Sequence, residues 1–170
     1  MQLSDFCLQF LRLFEKFRAS AYPDAVGKPT IGYGHLILPG ETFSSPITLA
    51  QGEDLLRTDA GGAAAVVSLH TEELDLRQCE SEALVSLVFN AGPSALVSAA
   101  GTRSTLMRLL LAGDRKLAAH EFRRWHYAGG KPLGGLLRRR IAEELWFLGG
   151  HPRSVIDIAT EGWKKTSLSA

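Results

Sequence analysis

With 170 residues, of which 45% are hydrophobic, the chain can bury a full core, and a small two-lobed domain fits that size. The formal net charge of +1 is too small to argue for nucleic-acid binding. Cys7 and Cys79 are isolated and form no CxxC pair, so they read as free thiols in a chain made under reducing conditions, with a single disulfide left open.

The first predicted element is a helix over 3–17, where Phe6, Phe10, Leu13, Phe14 and Phe17 recur at offsets of three and four behind the start signals Ser4 and Asp5. At about 100° per residue, Glu15 falls at the margin of the apolar face and is expected to be half-buried. Partial burial disfavours the charged form of a carboxyl, which suits a general acid working near neutral pH. The plainer reading is a surface glutamate paired with a basic residue.

After Ser20, turn formers mix with β-branched and aromatic residues, which predicts an antiparallel hairpin bending near Gly27, Lys28 and Pro29. That hairpin places Asp24 and Thr30 on adjacent strands, close enough to share a water molecule. Taken singly, Asp24 reads as a turn-capping aspartate and Thr30 as an ordinary strand threonine. His35, at a Gly-flanked strand end, is expected to tie the hairpin to the next helix rather than to serve as a metal ligand or base. His70, His120, His126 and His151 show no metal-ligand spacing, and no metal or cofactor is expected.

Thr48 is placed to cap a helix running to about residue 69, with a break near Gly61 and Gly62. Further helices are expected at about 80–91, 94–99, 103–112, 114–127 and 135–148, with Gly92, Gly113 and Gly149 at helix ends. The glycine-rich run AGGKPLGG at 128–135 lacks the GxxxxGK[ST] pattern of a phosphate loop. Arg138, Arg139 and Arg140 form a local basic cluster without interleaved aromatics, which ranks a nucleic-acid role low. Beyond residue 150, Val155, Ile156, Ile158 and Trp163 are apolar enough to pack an extension onto the body, while the last seven residues read as a frayed end. The fold class is α+β, mainly α: a small β-hairpin lobe at about 18–47, a larger helical lobe at about 48–150 joined by the N-terminal helix, and a cleft between them.

The run FEKFRASAYPDAVGKPTIGYGHL at 14–36 sets Glu15, eight residues, Asp24, five residues and Thr30 ahead of IGYGHL. This resembles the phage-type lysozymes, glycoside hydrolase family twenty-four. ALVSLVFNAG, STLMRLLLAGD, RWHYAGGKPL and GLLRRRIAEELW also look like segments of lambdoid-type phage endolysins, so the resemblance covers about residues 3–149 in a single catalytic domain over 1–150. It implies a lysozyme-like fold and hydrolysis of the β-1,4 bond between N-acetylmuramic acid and N-acetylglucosamine in peptidoglycan. Carried over by position, Glu15 is the general acid, Asp24 activates a water on the opposite face of the sugar, and Thr30 is that water's second anchor. Inversion at the anomeric carbon is expected from the family. Leu36, Phe89 and Thr105 match residues lining the sugar site, and one arginine of the cluster, taken as Arg138, supports Glu15. The alternative for Leu36 and Phe89 is core packing, and for the arginines a solvated helix face.

Arg12, Glu15, Lys16 and Arg18 interrupt the N-terminal apolar residues, so neither a signal-peptide core nor a membrane span is expected. Ala19, Ser20 and Ala21 mimic a cleavage site, but cutting there would remove Glu15. A monomer made in the cytoplasm is expected, reaching the wall through a holin if it serves phage lysis or a secretion apparatus if it is an antibacterial effector. Two other readings remain. A lytic transglycosylase relies on one dominant acid, and the presence of Asp24 and Thr30 speaks against it. A non-catalytic or latent wall-binding module would be expected to lose the acid or its partner, and neither is lost.

Overall fold

The computed structural model describes residues 1–24 and 27–161. The chain divides into two compact units, one of Gln2–Gly62 and one that begins at Ala63 and includes Met1. The first unit holds helix α1 (Asp5–Phe14), strands β1 (Arg18–Pro23), β2 (Pro29–Gly32) and β3 (His35–Leu36), and the first half of helix α2 (Leu49–Thr71). It therefore takes in α1 together with the sheet that was expected alone.

Helix α1 starts where Ser4 allows it, with the hydroxyl accepting the Cys7 N–H at 3.2 Å, and it buries Cys7, Leu8, Phe10 and Leu11. Its end differs from the expectation over 3–17. Glu15 is the C-cap, in extended conformation at φ −101°, ψ 105°, and Phe17 lies outside the helix. The cause is a contact made far along the chain: the Phe17 ring lies against Gly52 of α2, where a Cβ would collide with the ring, and it also meets the Tyr33 ring at 5.4 Å. These contacts leave Phe17 half-buried and compete with one more helical turn.

The sheet has the order β1-β2-β3, antiparallel throughout, with Tyr22 opposite Thr30 and Thr30 opposite Leu36. Thr30 thus sits on the central strand, and its side chain is buried. The third strand is an addition to the expected hairpin. Helix α2 begins at the expected cap, where Thr48 Oγ1 accepts the Gln51 N–H and Gln51 Oε1 accepts the Thr48 N–H. It runs unbroken through Gly61 and Gly62, which lie on its exposed face with open space around them. Each glycine costs about 1 kcal/mol relative to alanine. The neighbouring buried positions Ala60, Ala63, Ala64 and Val67 hold the helix together across them.

In the second unit, α3 (Gln78–Ala91) packs on α6 (Gly134–Phe147), α6 carries α7 (Pro152–Glu161), and α4 (Thr105–Leu111) lies against α5 (Arg115–Glu121). Residues Ala83 to Val88 of α3 are buried at every position rather than along one stripe, as in a helix enclosed by others. Phe122 and Phe147 are fully buried with ring centroids 5.5 Å apart, each worth about 1.5–3 kcal/mol of burial.

Two helix expectations need correction. Over 94–99 there is a single 3₁₀ turn at Pro93–Ala95; the chain then closes a tight loop, with Ser98 N–H donating to Thr102 O and Val97 bridging Arg103. Over 114–127, α5 stops at Glu121 and passes through a 3₁₀ turn at Phe122–Arg124. Tyr127–Ala128 (β4) then pairs with Lys131–Pro132 (β5) across Gly129 and Gly130, both at positive φ, the backbone that a two-residue hairpin demands. In the extension, α7 buries Val155 and Ala159, while Ile156 and Ile158 are half-buried; Trp163 and the expected frayed end lie outside the described residues.

Candidate active site

Asp24 follows β1 directly, and its backbone pairs with Lys28: Asp24 N–H donates to Lys28 O at 2.9 Å. Its carboxylate Oδ1 accepts the Lys28 N–H at 2.8 Å. Thr30 Oγ1 donates to the Lys28 carbonyl at 3.1 Å. The two side chains singled out from the sequence therefore grip opposite polar groups of one residue, and Lys28 serves them with its backbone alone. Leu36 lies beside Thr30 on β3 and is 37% exposed.

Glu15 is half-buried, as expected, but at a helix end rather than on a helix face. Its Oε2 lies against Gly34 in the β2–β3 turn, 3.5 Å from where a Cβ would stand, and Gly34 has φ +90°. Glu15, Asp24, Thr30, Leu36 and His35 thus all belong to the first unit. Phe89, Thr105 and Arg138 belong to the second. Phe89 is half-buried on α3; Thr105 is exposed at the start of α4 and accepts from Arg108 Nη2 at 3.0 Å; Arg138 Nη1 donates to the Thr160 carbonyl at 3.2 Å.

Arg139 and Arg140 do not form a solvated face. Both are buried around Glu143, which is itself fully buried on α6. Arg139 Nε meets Glu143 Oε1 at 3.1 Å, and Ser86 Oγ of α3 donates to the same oxygen at 2.6 Å. Arg140 Nε approaches Glu143 Oε2 at 3.0 Å, a contact of charges rather than a directional hydrogen bond, and Arg140 Nη2 donates to Asn90 Oδ1 at 2.9 Å.

His35 ties the hairpin to the next helix, as expected, and does more. Its Nδ1 lies 3.0 Å from both oxygens of Asp59 on α2, and its Nε2 lies 3.2 Å from Glu41 Oε2, which also accepts the Leu38 N–H. Burial alone would lower the imidazole pKa; the hydrogen bonds and charges of Asp59 and Glu41 outweigh it and raise it. Below about pH 6.5 the imidazole is protonated whether the chain is folded or not, and this stabilisation is fully present. It is lost as the pH rises through the raised folded value. The melting temperature of the wild type should therefore fall across that window more than that of His35→Asn; parallel curves for the two proteins would show that the triad does not couple folding to protons.

A second cluster was not foreseen. Glu53 of α2 pairs with Arg12 Nη2 of α1. The Arg12 hydrogen bond holds the Glu53 carboxyl below its ordinary range, while burial, with the negative charge of Glu53 beside it, pushes the Tyr33 phenol up. No local pattern marks Glu53, which reads as one more charge on α2. Among the described residues no group of His, Cys, Asp and Glu side chains could hold a metal ion, and Cys7 and Cys79 are free thiols.

Comparison with known proteins bears on this arrangement. The phage lysozyme family profile matches residues 12–143. The chain is 36% identical over 151 residues to the endolysin of Acyrthosiphon pisum secondary endosymbiont phage 1, covering 86% of this chain and 98% of that one. It is 35% identical over 159 residues to the endolysin of Bacillus phage PZA, covering 91% of this chain but spanning only 58% of that relative's length. The structure superposes on the endolysin of Escherichia coli O157:H7 phage FAHEc1 with a TM-score of 0.73 at 32% identity, covering 87% of this chain and 94% of the other. The agreement extends through both units, from the N-terminal carboxylate to α6, and the chain belongs to the phage lysozyme family.

Proposed function

We propose that this protein is a peptidoglycan muramidase that hydrolyses the β-1,4 bond between N-acetylmuramic acid and N-acetylglucosamine by an inverting acid/base reaction. The observation that carries the reading is the joint anchoring of Asp24 and Thr30 on the Lys28 peptide, in the same unit as Glu15. Glu15 protonates the departing glycosidic oxygen. Because the Thr30 hydroxyl proton is committed to the Lys28 carbonyl, Thr30 Oγ1 can meet a water only as an acceptor. A water donating one hydrogen to Thr30 and one to the Asp24 carboxylate keeps a lone pair for the anomeric carbon, and Asp24 takes up the proton as the bond forms. The Lys28 N–H on Asp24 Oδ1 fixes the position of the carboxylate for this step.

Leu36, Phe89 and Thr105 are the proposed sugar-contacting residues, and His35 and Arg138 the proposed supports, within a single catalytic domain over 1–150. No described helix is long and apolar enough to cross a membrane. In this reading the chain acts on the wall as a monomer, delivered by a holin or a secretion apparatus. The test is digestion of purified Gram-negative sacculi, with new reducing ends assayed and the muropeptides identified by mass. Reducing N-acetylmuramic acid ends are expected. Anhydro ends would replace hydrolysis with transglycosylation, and protein that pellets with uncut sacculi would make the chain a binding module.

A further inference from the structure

Beyond Leu36 the chain still follows the sheet, since the Ile37 N–H donates to the Pro29 carbonyl at 2.9 Å. It then closes a turn on itself: Glu41 N–H donates to Leu38 O at 3.0 Å, and Leu38 N–H donates to Glu41 Oε2 at 2.7 Å. Gly40, at φ +93°, permits that turn, and His35 Nε2 lies 3.2 Å from the same Glu41 oxygen. Between the turn and the Lys28–Pro29 edge is an open pocket of about 520 Å³, lying wholly within the first unit. Pro29, Leu36, Leu38 and Pro39 line it, and Leu38 is left 51% exposed. Two charged residues border this apolar wall. The charge of Glu41 is met by the Leu38 N–H and by His35, whereas Lys28 is exposed and enters no ion pair among the described residues.

We propose that this pocket is a subsite for the peptide stem carried by muramic acid, with the Lys28 ammonium paired to a carboxylate of that stem. The inference rests on the muramidase reading and deepens it. A pyranose bears an oxygen on nearly every carbon, and a wall of prolines and leucines would leave those groups without partners. A stem peptide offers the complementary surface: the methyl and methylene groups of its alanine and diamino acid residues, and the free carboxylate of its glutamate. An apolar wall with one uncompensated cation beside it selects such an aliphatic anion. The placement agrees with the chemistry. The Lys28 peptide group holds both Asp24 and Thr30, so the anomeric carbon of the muramic acid under attack stands near it. The stem is joined to the same sugar through its lactyl ether, and only the sugar ring separates its first residue from that carbon. The Lys28 backbone thus serves the water and its side chain the stem.

The test compares the wild type, Lys28→Gln and Leu38→Asp on two glycans: chains from Gram-negative sacculi that keep their tetrapeptide stems, and the same chains stripped of peptide by an amidase. The readout is the ratio of kcat/KM on the stem-bearing glycan to kcat/KM on the bare one. The wild type should favour the stem-bearing glycan. Lys28→Gln should lower the ratio roughly threefold, the value of one exposed ion pair. Leu38→Asp, which removes apolar surface and sets a like charge against the stem, should lower it roughly tenfold. The Leu38 side chain is exposed enough for the fold to accept the change, and melting curves check that. Equal losses on both glycans in both variants would give the pocket to a sugar ring and overturn the assignment, as would a ratio that neither variant moves. A wild type releasing no reducing ends from either glycan overturns the muramidase reading itself, and the stem subsite with it.

Discussion

Glu15→Gln should lower the release of reducing ends from sacculi about a thousandfold while leaving the melting curve close to that of the wild type. Glutamine matches glutamate in size and in hydrogen-bonding reach but has no proton to give to a glycosidic oxygen. The backbone role of position 15 survives the change: the Glu15 N–H closes α1 on the Leu11 carbonyl at 3.1 Å. The side chain rests on Gly34, where an amide fits the same space. Reducing-end assays and thermal melts on the two proteins check this directly. A variant with near-full activity would remove Glu15 from the acid role, and one that is inactive because it is unfolded would move the residue into the stability of the first unit.

The second large effect is on stability. Glu143→Ala removes the carboxylate between the Arg139 and Arg140 guanidinium groups, which are 2% and 0% exposed. Deleting one partner of a buried ion pair costs about 3–5 kcal/mol, because the remaining charge keeps its desolvation penalty. For a chain of this size that corresponds to a melting temperature lower by roughly 6–20 °C. Ser86 loses its acceptor as well, so part of the cost lies on α3 rather than α6. Differential scanning calorimetry at neutral pH checks the value; a shift below about 2 °C would mean that the guanidinium groups do not depend on Glu143.

Why this ion cluster was not legible in the sequence is instructive. Arg139, Arg140 and Glu143 stand three and four residues apart, the same spacing that an exposed, salt-bridged helix face would show. What distinguishes the two is Ser86 and Asn90, fifty or more residues from their partners. The same applies to the end of α1. Phe17 continues the apolar period of the helix, and only its docking on Gly52 shows why the helix stops at Phe14. Local signals did register where the chemistry is local, at Ser4 before α1 and at Thr48 with Gln51 before α2. The β4–β5 hairpin has a readable turn in Gly129 and Gly130, but its strands are two residues each, too short for a period to show. At the candidate site, spacing singled out Glu15, Asp24 and Thr30. Glu53, Asp59 and Glu41 act through partners that only folding brings near, and they read as ordinary surface charges.

Lys28 illustrates a different division of labour. It is the residue most closely bound to both members of the proposed water site, yet it contributes only an amide hydrogen and a carbonyl oxygen. Selection acting on the reaction is therefore blind to the side chain at this position, apart from excluding proline, which has no N–H to give Asp24. Charge, bulk and polarity there are left open to other demands, such as how the surface near Asp24 meets a wall of a particular composition. Related enzymes could diverge at this position and keep the same chemistry.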